Sequence, residues 1–135
     1  MKLSRWSRLS ILLWLVALHS LVVGLGLVLV PPDTMRLFGY SHYQERFFSV
    51  QAGVFHFVLV VAYSLAAAAP RRFTGLLILS VAAKFIATVF LFIYFLSVDH
   101  IWVVLLSGIA DLAMGLAILW FWLACRREAD PPVAR

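Results

Sequence analysis

The sequence predicts an all-α protein, an integral membrane four-helix bundle with both termini on the cytoplasmic side. Three observations carry that expectation. Of 135 residues, 64% are apolar and only 13% are charged, whereas soluble domains are about half apolar and about a quarter charged. The apolar residues fall into four unbroken runs, each long enough to cross about 30 Å of hydrocarbon, which takes about 20 helical residues. The eleven Lys and Arg sit mainly between those runs and form no continuous basic footprint. The net charge of +5 therefore points to membrane flanks and away from nucleic acid.

The first run, Leu9 to Val30, follows Lys2, Arg5 and Arg8 in the manner of a signal peptide. It is too long for one, and it ends in Pro31-Pro32 where a small-x-small cleavage site would stand. We expect it to remain as the first span, stopped by prolines that cannot continue a helix. The connection after it, 31–46, is the longest in the chain. Asp33 is placed to cap a short helix whose Met35, Leu37 and Phe38 rest on the membrane surface, with Gly39 ending it. Tyr40 and Tyr43 suit the headgroup region. The segment reads as an interfacial loop, with a lid or a partner-docking surface as the functional alternative.

The second run, Phe47 to Ala69, stops at Pro70; the third is Phe73 to Val98 and the fourth Ile101 to Cys125. Strands are excluded because the runs are unbroken and too long for the alternation of a barrel. The last two connections are only a few residues long, so spans two, three and four are expected to be antiparallel neighbours. Residues 126–135, which include Pro131-Pro132, are expected to form a short disordered cytoplasmic tail. The whole chain, 1–135, is expected to be one domain.

Orientation follows from the basic residues. Lys2, Arg5, Arg8, Arg71, Arg72, Arg126, Arg127 and Arg135 fall on one side if the chain crosses four times, against Arg36 and Arg46 on the other. Such a bias places both termini in the cytoplasm. Trp6, Trp102, Trp120 and Trp122 lie near span ends, where aromatic belts form. The lone cysteine, Cys125, rules out an internal disulfide and a CxxC redox pair. It stands beside Arg126 and Arg127, where S-palmitoylation is the functional reading and a passive small residue the simpler one.

The informative positions are the polar ones inside the runs: His19, Gln51, His56, Lys84 and Asp111. A charge at the centre of a membrane helix costs about 2.5 to 3.5 kcal/mol. Lys84 and Asp111 should therefore face the bundle interior and share a network. At about 1.5 Å per residue, His19, His56, Lys84 and Asp111 all fall about 13 to 20 Å from the outer boundary, one per helix. Ser80, Lys84 and Thr88 stack at i, i+4, i+8. Gly108, Asp111 and Gly115 stack at i, i+3, i+7, and the small residues allow a neighbouring backbone to come close around Asp111. Side chains lean toward their own helix N-terminus, which draws Lys84 and Asp111 apart, and His56 matches Asp111 better in depth and helix direction. Asp111 is expected to accept from His56, Lys84 or both, and Gln51, one turn from His56, to orient a ligand or bond across helices.

Three roles compete for this layer. It can be a purely structural clasp that fixes helix register, a relay for a proton or ion, or a site for a small molecule. Imidazoles on facing helices are usual haem ligands, but two histidines are thin grounds for a haem between His19 and His56, and the cofactor stays unknown. No nucleophile–base–orienter arrangement, metal-ligand spacing or phosphate-binding glycine loop occurs, so no catalytic residue or metal ligand is nominated and the balance lies against an enzyme.

The plan of the chain resembles that of the DoxX-like group of small bacterial membrane proteins. The likeness covers Leu9 to Cys125 in topology: four spans, short loops and an internal polar layer. FFSVQAGVFH and SGIADLAMG are the most distinctive segments, and no family role attaches to either. The resemblance implies the cytoplasmic membrane of a bacterium, and some members accompany membrane oxidoreductases. Small multidrug transporters would need an acidic residue in the first span, fluoride-channel-like proteins a glycine-rich signature, and vitamin K epoxide reductase-like enzymes cysteine pairs; this sequence has none of these. The leading expectation is a non-catalytic accessory or assembly subunit of a larger membrane complex. Phe90, Phe92, Tyr94 and Phe95 would then dock other subunits or a second copy. The alternative is binding or transport of a proton, an ion or a quinone-like molecule through the central layer.

Overall fold

The computed structural model describes residues 4–40 and 46–129. It is all-helical, with α1 (Arg5–Leu29), a short α2 (Pro32–Met35), α3 (Phe47–Ala68), α4 (Thr74–Ser97) and α5 (Trp102–Ala129). Helices α1, α3, α4 and α5 are each long and apolar enough to cross a membrane.

Local chemistry sets the boundaries. The Ser4 hydroxyl accepts from the Ser7 amide at 3.1 Å, satisfying one of the amides that a helix start leaves over. This cap starts α1 four residues before the apolar run does, so Arg5 and Arg8 ride on helix. At its other end Val30 turns extended ahead of Pro31-Pro32, and Arg46 Nη2 donates to the Val28 carbonyl at 2.7 Å. Helix α5 likewise outruns its apolar segment and remains helical to Ala129. The tail expected to be irregular from Arg126 is thus helical in its first residues. Its remainder, 130–135, lies outside the described residues.

The long connection differs from expectation in two places. Proline 31 occupies the cap of α2 and Asp33 lies inside the first turn. The Pro31 carbonyl accepts from the Thr34 amide at 3.1 Å and the Met35 amide at 3.2 Å, so this turn closes on backbone with no carboxylate cap. Asp33 meets Arg36 only loosely, at 3.9 Å with both side chains exposed. A 3-10 turn, Arg36–Phe38, then closes on Gly39 at φ 97°, a left-handed conformation suited to glycine. Met35 is buried against the bundle, whereas Leu37 is exposed and Phe38 sits 6.4 Å from the Trp102 ring. Only part of the segment therefore lies on an outer surface. Tyr43 is outside the described residues.

The bundle is a pair of pairs. Helix α1 packs most extensively on α3, and α4 on α5; the α1–α5 and α3–α4 seams are thinner. Glycines account for the difference. A β-carbon at Gly53 would fall 2.6 Å from Val28 Cγ2 and 2.8 Å from the Gly24 carbonyl oxygen, so α1 and α3 cross with their backbones nearly touching. In the other pair, β-carbons at Gly108 and Gly115 would meet the Phe92 ring at 2.8 Å and Lys84 Cβ at 3.1 Å. The consecutive helices α3 and α4, expected as neighbours, do touch, but along a thin seam.

The well-packed core occupies one half of the bundle. Leu9, Leu13, Val16 and Ala17 come from the start of α1; Tyr63, Ala66 and Ala67 come from the end of α3. Leu77 from the start of α4 and Ile118 and Cys125 from the end of α5 complete it. All belong to the half that carries both described chain ends. The other half is built around a cavity.

Candidate functional site

A cavity of about 330 Å³ lies between the four long helices in the half away from the termini. Helical spacing aims one stripe of each helix into it: His19, Val23 and Leu27 from α1; Ala52, His56, Leu59 and Tyr63 from α3; Ala83, Lys84, Ala87 and Leu91 from α4; Ser107 and Asp111 from α5. Alanines at three of these positions leave room where larger side chains would fill the thin α3–α4 seam. Tyr40 and Phe90 stand at the side shared with a second cavity of about 270 Å³, which Met35, Phe48, Tyr94 and Val104 help to line.

Across the α4–α5 interface Lys84 Nζ donates to Asp111 Oδ1 at 2.5 Å, with both side chains largely buried. The lean of a side chain toward its own helix N-terminus would separate the two; the long lysine arm overcomes it. The closeness of the helices at Gly115, against Lys84 Cβ, shortens the span the arm must reach. Thr88 Oγ1 donates to the Lys84 carbonyl at 2.8 Å and Ser80 Oγ to the Leu76 carbonyl at 2.6 Å, so the polar stripe of α4 is buried with its hydroxyls satisfied locally. The pair engages one of the three protons of the lysine ammonium.

Of the two donors expected for Asp111, Lys84 takes the role. His56 turns to α1, where its Nδ1 lies 2.9 Å from the hydroxyl of fully buried Ser20. The same hydroxyl reaches the His56 carbonyl at 3.4 Å, and together these contacts fix the ring against α1. His19 is half-buried on the cavity wall. Gln51 is exposed and contributes nothing to that wall: one turn back from His56 overshoots the stripe, which Ala52 continues instead.

Two residues at the site are missing from the sequence expectation. Ser20 is one; a lone serine in an apolar helix gives no signal of its partner. Tyr63 is the other. Its side chain is 1% exposed, and its hydroxyl is the buried side-chain polar atom left without a hydrogen-bond partner among the described residues. The signal for it was its spacing, because His56, Leu59 and Tyr63 stand at i, i+3, i+7. Its ring also faces Lys84, with Nζ 5.7 Å from the ring centre.

The site thus combines a charge-compensated Lys–Asp pair, two half-buried imidazoles and an unpartnered phenol in an otherwise apolar chamber. Its volume lies near the lower end of small-molecule pockets, about 300 to 1,000 Å³. A single ring fits that space better than a porphyrin spanning from His19 to His56. No group of three His, Cys, Asp or Glu among the described residues is arranged to hold a metal ion.

The aromatic positions expected to form a docking stripe on α4 do not share one face. Phe90 is exposed, but Phe92 turns into the α4–α5 interface against Gly108. Phe95 packs edge-on against His100 at 5.2 Å. Cys125 is fully buried in the core, as a passive residue would be. No protein-family model, curated protein or solved structure matches the chain. The DoxX-like resemblance accordingly stays one of topology.

Proposed function

We propose that this is an integral protein of a bacterial cytoplasmic membrane, with both termini in the cytoplasm, which binds a small, mainly apolar molecule bearing a hydrogen-bond acceptor in its central cavity. The four long apolar helices and the arginines gathered at the terminal end support the membrane setting. The observation that carries the ligand is the Tyr63 hydroxyl. A buried hydroxyl without a partner costs about 1 to 3 kcal/mol, and this one is carried by Tyr63, a residue that lines the cavity together with His19, His56 and the Lys84–Asp111 pair. An acceptor such as a carbonyl would satisfy it. The apolar wall of Val23, Leu27, Leu59 and Leu91 suits the body of a quinone-like ring, and the ion pair leaves the chamber without net charge to attract a free ion.

Access also favours binding over passage. The packed core closes the end toward the termini, while the cavity meets the second one beside Tyr40 and Phe90. A lipophilic molecule would enter from the outer half. The test is equilibrium binding of a soluble naphthoquinone to the reconstituted chain, followed by quenching of tryptophan fluorescence. Saturable binding that Tyr63→Phe weakens about tenfold, the worth of one hydrogen bond of about 1.4 kcal/mol, is expected. Equal binding to both proteins would refute the role of the hydroxyl.

The rival reading is an accessory or assembly subunit of a larger complex. It draws on the wide exposed apolar surface, which any membrane bundle presents to lipid. Purification in mild detergent separates the two: a stoichiometric partner subunit favours the rival, and a homogeneous chain that retains the ligand favours the proposal.

A further inference from the structure

The end of the bundle that carries the termini is ringed by arginines, and they are not equivalent. Arg71 lies over Trp6 with its guanidinium carbon 5.1 Å from the ring centre, Arg72 over Phe73 at 5.5 Å and Arg126 over Trp122 at 5.9 Å. Each of these has an aromatic face to rest on. Arg8 and Arg127 instead converge on a groove of about 330 Å³ along the thin α1–α5 seam. Arg5 joins them there, with Nη1 donating across the seam to the Ala124 carbonyl at 3.3 Å.

Helical spacing builds the groove. Arg5 and Arg8 stand at i, i+3 on α1, while Trp120, Ala124 and Arg127 stand at i, i+4, i+7 on α5, so each helix turns one stripe toward the same seam. The short side chain of Ala124 leaves depth. The Trp120 and Phe121 rings, edge to face at 4.7 Å, form the wall on the side toward the middle of the bundle. The result is a cleft cationic at its terminal end and aromatic further in.

Guanidinium groups gathered in one cleft repel one another, and no ion pair with a carboxylate among the described side chains relieves Arg8 or Arg127. A planar guanidinium fork matches phosphate oxygens two at a time. Basic pockets between membrane helices on the cytoplasmic side suit anionic headgroups. We propose that the α1–α5 groove binds the phosphate of an anionic phospholipid, clasped by Arg8 and Arg127, with Trp120 and Phe121 flanking the glycerol and upper acyl chain. Free phosphate offers the same oxygens, but it has no use for the aromatic wall, and Trp120 is 65% exposed beside the cleft. The proposal rests on membrane insertion as argued above and is independent of what the central cavity holds.

The test uses the full chain in nanodiscs of phosphatidylcholine containing a minor fraction of phosphatidylglycerol, with co-isolated lipids counted by native mass spectrometry. Phosphatidylglycerol is expected to be enriched around the wild type. General attraction to an anionic surface is worth about fivefold per arginine at most and is lost equally by Arg8→Gln/Arg127→Gln and Arg71→Gln/Arg72→Gln. The groove variant should lower the enrichment about tenfold beyond that common loss, the worth of a charge-assisted hydrogen bond to phosphate of about 1.5 kcal/mol. Both double variants lose the same charge at the same end, and circular dichroism confirms that each is folded. An equal loss in both would reduce the effect to general surface charge and overturn the groove. Retention of inorganic phosphate in pure phosphatidylcholine discs with the same arginine dependence, and no preference among lipids, would overturn the lipid as ligand. A chain that fails to enter discs at all would overturn membrane insertion, and the lipid site with it.

Discussion

Lys84 and Asp111 meet across α4 and α5 at 2.5 Å, and Gly115, one turn beyond Asp111, gives Lys84 Cβ the room to come that close. The pair is therefore a product of backbone proximity as much as of charge. Two consequences can be measured. Removing one partner strands the other charge in an apolar interior, so Asp111→Asn should destabilise the bundle by about 3–5 kcal/mol. Replacing both with apolar residues of similar size, Lys84→Met with Asp111→Leu, removes the stranded charge and should recover most of that loss. Reversible unfolding in mixed micelles reads both values. A double variant as unstable as the single one would mean that the pair holds the interface by more than charge compensation.

The glycines make a separate prediction about packing. An alanine at Gly53 would drive its β-carbon into Val28 and the Gly24 carbonyl, and backbone cannot step aside as a side chain can. Gly53→Ala should cost about 1–3 kcal/mol, as overpacking does. Gly26 lies in the same helix as Gly24 but has nothing within 4 Å of an added β-carbon. Gly26→Ala should be neutral or stabilise by up to about 1 kcal/mol through the lower entropy of the unfolded chain. The same unfolding measurement decides; an equal response at the two sites would contradict the close crossing of α1 and α3.

These contrasts show what the sequence could and could not convey. The four long helices were legible because unbroken apolar runs and proline stops are strong signals. Lys84 and Asp111 were legible as interior residues because charges in such runs need partners. Depth and helix direction favoured His56 as the donor, but the reach of the lysine arm decided otherwise. The partition of faces was not. When the outside of a bundle is as apolar as its core, hydropathy no longer separates the two, and only polar atoms and small residues mark the inside. Gly108 and Gly115 could be read because they flank Asp111, whereas Gly24 and Gly53 flank nothing charged. Ser20 and Tyr63 escaped for the same reason. Gln51 was placed in the layer by its polarity, yet it projects outward because its angular position on α3 overrides its chemistry.

Orientation can be tested with the chain's own cysteine as an internal blank. Cys125 is fully buried and should not react with a membrane-impermeant maleimide in intact cells or spheroplasts. Leu37 is 77% exposed in the long connection, and Thr74 is exposed at the start of α4. With both termini cytoplasmic, Leu37→Cys should label from outside and Thr74→Cys only after the membrane is permeabilised. The reverse pattern would invert the topology, and labelling of both from outside would reject four crossings.

Tyr63 supplies the sharpest opposition between stability and binding. Its hydroxyl is buried without a partner, so the protein without ligand carries a desolvation cost that phenylalanine would not. Tyr63→Phe should raise the stability of the ligand-free bundle by about 1 kcal/mol. The ring and its contact with Lys84 stay in place, so packing is not disturbed. The same substitution should weaken binding of the naphthoquinone probe, and stabilisation by saturating probe should shrink in step. A group kept at a cost to stability while contributing to affinity is characteristic of a binding site. If Tyr63→Phe instead destabilises the ligand-free protein, the hydroxyl is satisfied by a bound water, and the case for a ligand at this wall loses its main support.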